Sequence, residues 1–396
     1  MNTSHYNPFA ERINNVTPSF IREILQVTKQ SDVISFAGGL PNEQLFPIEQ
    51  LKKSSQKVFE NYGSQLLQYS NTEGDLQLRQ WIAKRYKRQN LHINVEDILI
   101  SNGSQQALDL LGKVFINKND PIIVENPGYL GALQAFRLYQ AKFLGVDIHD
   151  NGMDITQLQQ TLSSNKAKLI YAVPNFQNPT GISYSEENRQ AIALEVAKTE
   201  SYLIQDDPYG ELRFSGEQKS NFMSLLPQQT ILLGSFSKTI APAFRLGWIV
   251  APQEIMKKLV IAKQAADLHS NSFSQAILYQ YLQDNNIDEH LKKLNHYYGQ
   301  QKNIMETAIK QYFPQNTKLT NPEGGLFLWC SLDKKISTLE LFKTAIKHNI
   351  AFVPGESFYT GKIEKNTMRL NYSGADSFAI EKGIKDLAKI IKTKSN

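Results

Sequence analysis

The stretch "GSFSKTIAPAFRLGW", residues 234–248, sets Lys238 between hydroxyl residues and Arg245 seven positions later, just after the apolar run "TILLGSF" at 230–236. A lone lysine in a Ser/Thr-rich turn is most simply a solvated charge, so Lys238 acquires chemistry only through partners. Other apolar runs also end on polar residues. "SYLIQDD" (201–207) ends on Asp206 and Asp207, with Tyr209 three residues after the first. "KLIYAV" (168–173) leads into "PNFQNPTG" and Asn178, and "PIIVEN" (121–126) leads to Tyr129. "SNGSQQ" places Ser104, Gln105 and Gln106 at the start of a helical pattern, where free N–H groups and the helix dipole favour an anion.

Each of these has a plain structural reading. Asp206 and Asp207 suit a turn, "NPTG" suits a β-turn with proline at its second position, and Ser104 suits an N-cap. Together, however, they supply a lysine amine, an acid, a phenol, an amide, a flat ring, an arginine and a helix start carrying hydroxyls. That inventory matches pyridoxal phosphate. Its aldehyde condenses with a lysine amine, its pyridine nitrogen needs an acid to stay protonated, and its phosphate needs cations and N–H donors.

The elements that must position these groups follow an alternating pattern. β-rich runs at 121–126, 168–173, 201–207, 230–236 and 246–252 are separated by helical spacings such as Ala107, Leu110, Leu111, Val114 and Phe115. This predicts an α/β layered, mostly parallel sheet, with ligands at the carboxyl ends of its strands. From about residue 265 to 313 the pattern is amphipathic and helical, as in a long connector. A second, smaller α/β set follows, with strands in 324–332, 350–355 and 367–373 and a final helix from Ser377. The expected division is a large domain at 45–295 and a small one built from 1–44 and 296–396, with a mobile N-terminal segment.

Composition narrows the function further. With 396 residues, 41% of them hydrophobic, the chain is long enough for a large core. Cys330 is the single cysteine, which excludes an intrachain disulfide and a multi-cysteine metal site and fits a reducing cytoplasm. The start "MNTSHYNPFAERINNVTPSF" lacks an apolar signal core, and no stretch reads as a membrane span. The expectation is a cytoplasmic protein without a membrane partner. Part of the net charge of +5 comes from the lysines of "EKGIKDLAKIIKTKSN", which suits a solvated helix face. No aromatic-basic stripe points to nucleic acid. "GESFYTGKI" (355–363) departs from a phosphate-binding P-loop in its glycine spacing and in Ile363, where a Ser or Thr would hold magnesium. Neither HExxH nor clustered histidines suggest a metal.

"GSFSK" followed by "RLGW", together with "NPTG" and "DDPYGE", resembles the fold-type I pyridoxal-phosphate aminotransferases of class I/II, from about Phe20 to Arg369. "SFAGGLPNEQLFP", "TEGDLQLRQWI", "GSQQALDLLGKVF" and "ENPGYLGA" are most similar to the branch that includes 2-aminoadipate and kynurenine aminotransferases. The resemblance implies pyridoxal 5'-phosphate as cofactor, carried on Lys238, which also shuttles the proton. It implies Ser104, Gln105, Ser235, Ser237 and Arg245 at the phosphate, Asp206 at the pyridine nitrogen, Asn178 and Tyr209 at the ring's 3-oxygen, and Tyr129 stacked on the ring. Asp207 is the adjacent competitor for the acid's role, and the three-residue step to Tyr209 favours Asp206.

Arg369 in "TMRLNYS" matches the clamp for the substrate α-carboxylate, with Asn178 assisting and Gly39 allowing close approach of the backbone. Tyr69 in "QYS" matches a tyrosine that reaches the phosphate of the other subunit in a homodimer. Arg22 matches a residue that in some relatives holds an acidic substrate side chain, and it equally suits a solvated helix face.

The implied reaction is ping-pong amino transfer. It runs between an L-amino acid (2-aminoadipate, aromatic or aliphatic amino acids, glutamate) and a 2-oxo acid such as 2-oxoglutarate. A lyase or decarboxylase acting at Cα shares the same cofactor chemistry. Ligand-sensing domains fused to winged-helix regulators resemble the same branch, and the few dozen residues ahead of "SFAGG" are expected to be too few for a DNA-binding domain.

Overall fold

The computed structural model describes residues 8–14, 24 and 32–395. Its large sheet has eight strands in the spatial order Ile98–Ser101, Gly247–Val250, Thr230–Ser235, Tyr202–Asp206, Leu169–Ala172, Pro121–Asn126, Lys142–His149, Gly152–Met153. The five strands from Thr230–Ser235 to Lys142–His149 pair in parallel. Gly247–Val250 runs antiparallel to both its neighbours, and Gly152–Met153 is antiparallel at the far edge. The parallel core is apolar on both faces because helices cover both. Leu169–Ala172 and Thr230–Ser235 are buried at every position.

The runs "PIIVEN", "KLIYAV", "SYLIQDD" and "TILLGSF" therefore form strands where periodicity puts them. Two further strands escape that reading: Lys142–His149, which mixes polar with apolar residues because it is only partly covered, and the short edge strand Ile98–Ser101. After Gly103, the Ser104–Phe115 helix buries Ala107, Leu108, Leu110, Leu111 and Gly112 against the sheet.

The helical stretch expected over about 265–313 is broken into Ser272–Asp284 and the 26-residue Ile287–Tyr312, and the helix Gln253–Asp267 ends where that stretch begins. The breaks have a local cause. Asn271 and Asn286 each turn a side-chain oxygen onto the first turn of the next helix, accepting from Ser274 N at 2.8 Å and Asp288 N at 3.0 Å. The long helix then packs along the final helix, Ser377–Ser395.

The second sheet has four antiparallel strands in the order Lys318–Leu319, Phe327–Ser331, Thr367–Asn371, Val353–Pro354. The run "IAFVPG" is divided between sheets: Ile350–Ala351 pairs in parallel with Ile34–Ser35, while Val353–Pro354 joins the four-stranded sheet. Arg369 lies on a central strand, opposite Trp329 on one side and Val353 on the other. Phe36 joins the two sheets at this end: its N–H donates to Ala351 O and its carbonyl accepts from Asn371 N. Among the described residues, no helix is long and apolar enough to cross a membrane.

Candidate active site

A cavity of about 440 Å³ opens at the carboxyl ends of the parallel strands, between the two sheets. It brings together every site residue expected from the sequence except Tyr69 and Arg22. Ser235 and Asp206 end two neighbouring strands, and Lys238 and Tyr209 come from the turns after them. Tyr129 and Asn178 come from the loops after two further parallel strands. Arg369 enters from the smaller sheet and Gly39 from the segment that precedes the large one.

Lys238 Nζ donates to the carbonyl of Gly39 at 2.6 Å. Burial, with smaller contributions from the charges of Arg369 and Arg245, lowers its pKa from 10.5 to about 8. About a tenth of this amine is therefore neutral at pH 7, far more than for an ordinary lysine, and the neutral form is the one that attacks or accepts a proton.

Asp206 is 2% exposed. Its Oδ2 accepts from the Tyr171 hydroxyl at 2.7 Å, while Oδ1 is buried without a partner. Burial pushes this carboxyl from 3.8 up to about 7; the Tyr171 hydrogen bond opposes the rise and the charge of Asp207 adds to it. An orphaned carboxylate oxygen facing a cavity is a costly arrangement that a cation would relieve. Asp207, next in sequence, takes a different direction. It accepts from Asn175 Nδ2 at 3.0 Å, in a network with Arg189, and does not line the cavity.

Ser104, Gln105, Ser235, Ser237 and Arg245 gather on one side. Gly103 is the residue before the Ser104–Phe115 helix, so Ser104 is its first helical residue rather than the cap, and its Oγ is buried without a partner. Ser237 N donates to Ser235 Oγ at 3.1 Å. Arg245 holds a left-handed backbone at φ 51° and aims its guanidinium at the start of that helix, with Nη2 at 3.4 Å from the Asn102 carbonyl. Gly103, at φ +75°, makes room for it, because a Cβ there would lie 2.6 Å from Arg245 Nη2. Unsatisfied helix N–H groups, three serine hydroxyls and a guanidinium form a site suited to a phosphate.

Opposite them, Arg369 is 3% exposed. Nη1 donates to Asn178 Oδ1 at 2.8 Å and Nη2 to the Ala37 carbonyl at 2.7 Å, leaving Nε buried without a partner. Its guanidinium lies over the Phe327 ring at 4.3 Å and the Phe358 ring at 5.3 Å. Burial lowers its pKa to about 10, so it is still a cation at neutral pH. Tyr129 is pushed up to about 12, mainly by burial and secondarily by Asp206. Tyr209 is shifted up by burial as well, and packs edge-on against Phe327.

Tyr69 is not in its own chain's cavity. It is 79% exposed and makes an edge contact with His269 at 5.9 Å. Arg22 lies outside the described residues. Sequence reasoning passed over Tyr171, Gly103, Phe327, Phe358 and the Ala37 carbonyl. Their roles are contacts between segments far apart in the chain, and only the glycine of "SNGSQQ" carried a local signal.

The family profile described as aminotransferase class I and II matches residues 31–387. Aromatic-amino-acid aminotransferase 1 of Thermococcus litoralis is 40% identical, over 97% of this chain and 94% of that protein. Among solved structures, Pyrococcus horikoshii kynurenine aminotransferase in complex with PMP is 38% identical with a TM-score of 0.93, covering 98% of each chain. LysN, the alpha-aminoadipate aminotransferase of Thermus thermophilus complexed with N-(5'-phosphopyridoxyl)-L-leucine, is 35% identical with a TM-score of 0.91, again over 98% of each chain.

Proposed function

The chain belongs to the class I and II aminotransferases, enzymes that work with pyridoxal 5'-phosphate, and on that premise we propose that it moves amino groups between L-amino acids and 2-oxoglutarate or a similar 2-oxo acid. The donors we infer are aromatic and aliphatic amino acids, 2-aminoadipate and glutamate, with the donor's 2-oxo acid leaving before the acceptor enters. The observation that carries this reading is a single cavity holding a lysine amine, an acid with one unbonded oxygen and an arginine with one unbonded N–H.

The residues fit the cofactor. Asp206 Oδ1 would face a protonated pyridine nitrogen, Ser104, Gln105, Ser235, Ser237 and Arg245 would hold the phosphate, and Tyr129 would cover the ring. Asn178 and Tyr209 would meet the 3-oxygen, and Lys238 would bind the aldehyde carbon. When bound, pyridoxal phosphate supplies an electrophilic carbon, an electron sink and a place to store the amino group between the two halves of the reaction.

The chain's own groups do the rest. Arg369 takes the substrate α-carboxylate at its free Nε edge and, with Asn178, fixes the amino acid so that its Cα faces Lys238. Lys238 Nζ, once free and neutral, removes the Cα proton and holds it for return. A retained carboxylate clamp favours loss of this proton over loss of carbon dioxide. Phe327 and Phe358 dry the Arg369 site and strengthen its hold.

The placement of Arg369 on one sheet and Lys238 on the other supports the division into a large domain (45–295) and a small domain (1–44 with 296–396) that close on substrate. The exposure of Tyr69 supports a homodimer in which this ring reaches the partner's phosphate. The buried, unpaired Cys330 fits a cytoplasmic protein.

The test is the visible absorbance of the purified holoenzyme, followed as single amino acids and then 2-oxoglutarate are added, with Lys238→Ala alongside. Bleaching by donors and recovery with the oxo acid is expected in the wild type and not in the variant. Cofactor that binds yet responds to neither addition overturns the assignment of transamination.

A further inference from the structure

We propose that Lys263 and Asp267 are positioning residues for the cofactor phosphate, acting from behind the turn at 101–106; this rests on the reading of Ser104 and Arg245 as phosphate ligands. Both lie on the last turns of the Gln253–Asp267 helix. One carboxylate oxygen, Asp267 Oδ2, accepts from Asn102 Nδ2 at 2.6 Å, from Gln106 Nε2 at 2.6 Å and from Lys263 Nζ at 2.9 Å. Gln106 Oε1 closes the net, accepting from Asn102 N at 2.8 Å and from Lys263 Nζ at 3.2 Å. The residues on either side of Gly103, Ser104 and Gln105 are thereby tied to one point.

The turn needs such a tie. Gly103, at φ +75°, lacks the side chain that would stiffen it. Its front face carries the unpartnered Ser104 Oγ and the Arg245 guanidinium. Any sideways movement of residues 103–105 would turn those donors away from a phosphate, and the net behind them resists it.

The charges are also arranged for an anion. An unpaired Asp267 carboxylate behind the turn would repel a phosphate in front of it. The Lys263 side chain, 0% exposed, neutralises it and is held in place by Ser270 Oγ at 3.0 Å. A buried ion pair is weak evidence for stability as such. Here its partners are the two amides that bracket the donor turn, so its role is to position them.

The test compares two ligands of the cofactor-free protein, pyridoxal 5'-phosphate and pyridoxal, whose affinity ratio isolates the phosphate. Two charge-neutral changes are used. The double variant Lys263→Met/Asp267→Asn removes the ion pair and keeps the volume, and Asn102→Ala removes one tie while leaving the pair intact. Loss of a charge-assisted hydrogen bond predicts that the ratio falls on the order of tenfold in the double variant and less in Asn102→Ala, with pyridoxal affinity unchanged.

A purely structural role would lower the unfolding temperature and leave the ratio alone, so a wild-type ratio in both variants overturns the proposal. A double variant that does not fold leaves Asn102→Ala to decide in the same way. A wild-type protein that binds pyridoxal as tightly as its phosphate would instead refute the premise that Ser104 and Arg245 hold the phosphate.

Discussion

In an Asp206→Asn variant the side chain keeps its size and its acceptor for the Tyr171 hydroxyl, but loses the charge that burial penalises. The folded pKa of about 7 lies above the ordinary 3.8, so between those values the folded protein binds more protons than the unfolded chain. Stability of the cofactor-free protein must then fall as pH rises through that window, with the full penalty in place above it. The shift corresponds to about 4 kcal/mol near pH 8 and about 2 kcal/mol near pH 5. Without cofactor, Asp206→Asn should therefore be more stable than wild type by about those amounts, as read from urea unfolding at the two pH values. With cofactor the order reverses. On the proposed placement the carboxylate then faces a cation, and the variant should lose about 10²- to 10³-fold in kcat/KM, the scale seen when one preorganised electrostatic contact is removed. A cofactor-free variant no more stable than wild type near pH 8 would refute the account of Asp206 as a buried, unpaired charge awaiting a cation.

Other perturbations test the remaining groups. Because Lys238 is depressed to about 8, the rate at which the cofactor-free protein captures pyridoxal phosphate should rise with pH and level off above that value; stopped-flow absorbance that keeps rising towards the ordinary lysine range contradicts it. On the proposed role of Arg369, Arg369→Gln should raise KM for both amino acid and oxo acid by about a hundredfold or more, because the α-carboxylate would lose a buried charge partner; a change confined to kcat would remove Arg369 from the carboxylate site. Gly103→Ala forces a Cβ into a position at φ +75° that lies 2.6 Å from Arg245 Nη2, so the variant should lose cofactor faster on dialysis, with about 1–3 kcal/mol of backbone strain contributing.

Much of the fold was legible because parallel strands buried on both faces must be short apolar runs, and those at 121–126, 168–173, 201–207 and 230–236 had no other way to satisfy that burial. The helix breaks at Asn271 and Asn286 were not foreseen, since amphipathic periodicity continues through them while the caps act locally. The choice between Asp206 and Asp207 was inferred from spacing to Tyr209. In the structure Asp206 lines the cavity and Asp207 is engaged by Asn175, a difference that no spacing in the chain expresses.

What the sequence by itself determined was the inventory: a lysine, acids, an arginine pair and hydroxyls, most of them at or just beyond a strand end or at a helix start, where chain chemistry and local propensity suffice to locate them. What only the tertiary structure decided was which of their atoms remain unpaired. The bare Oδ1 of Asp206, Oγ of Ser104 and Nε of Arg369 depend on Tyr171, Gly103, Ala37 and Asn178. Except for Gly103 beside Ser104, those partners are contributed by distant segments. Hydrogen-bond satisfaction is a property of contacts across the fold, and no local pattern in the chain encodes it.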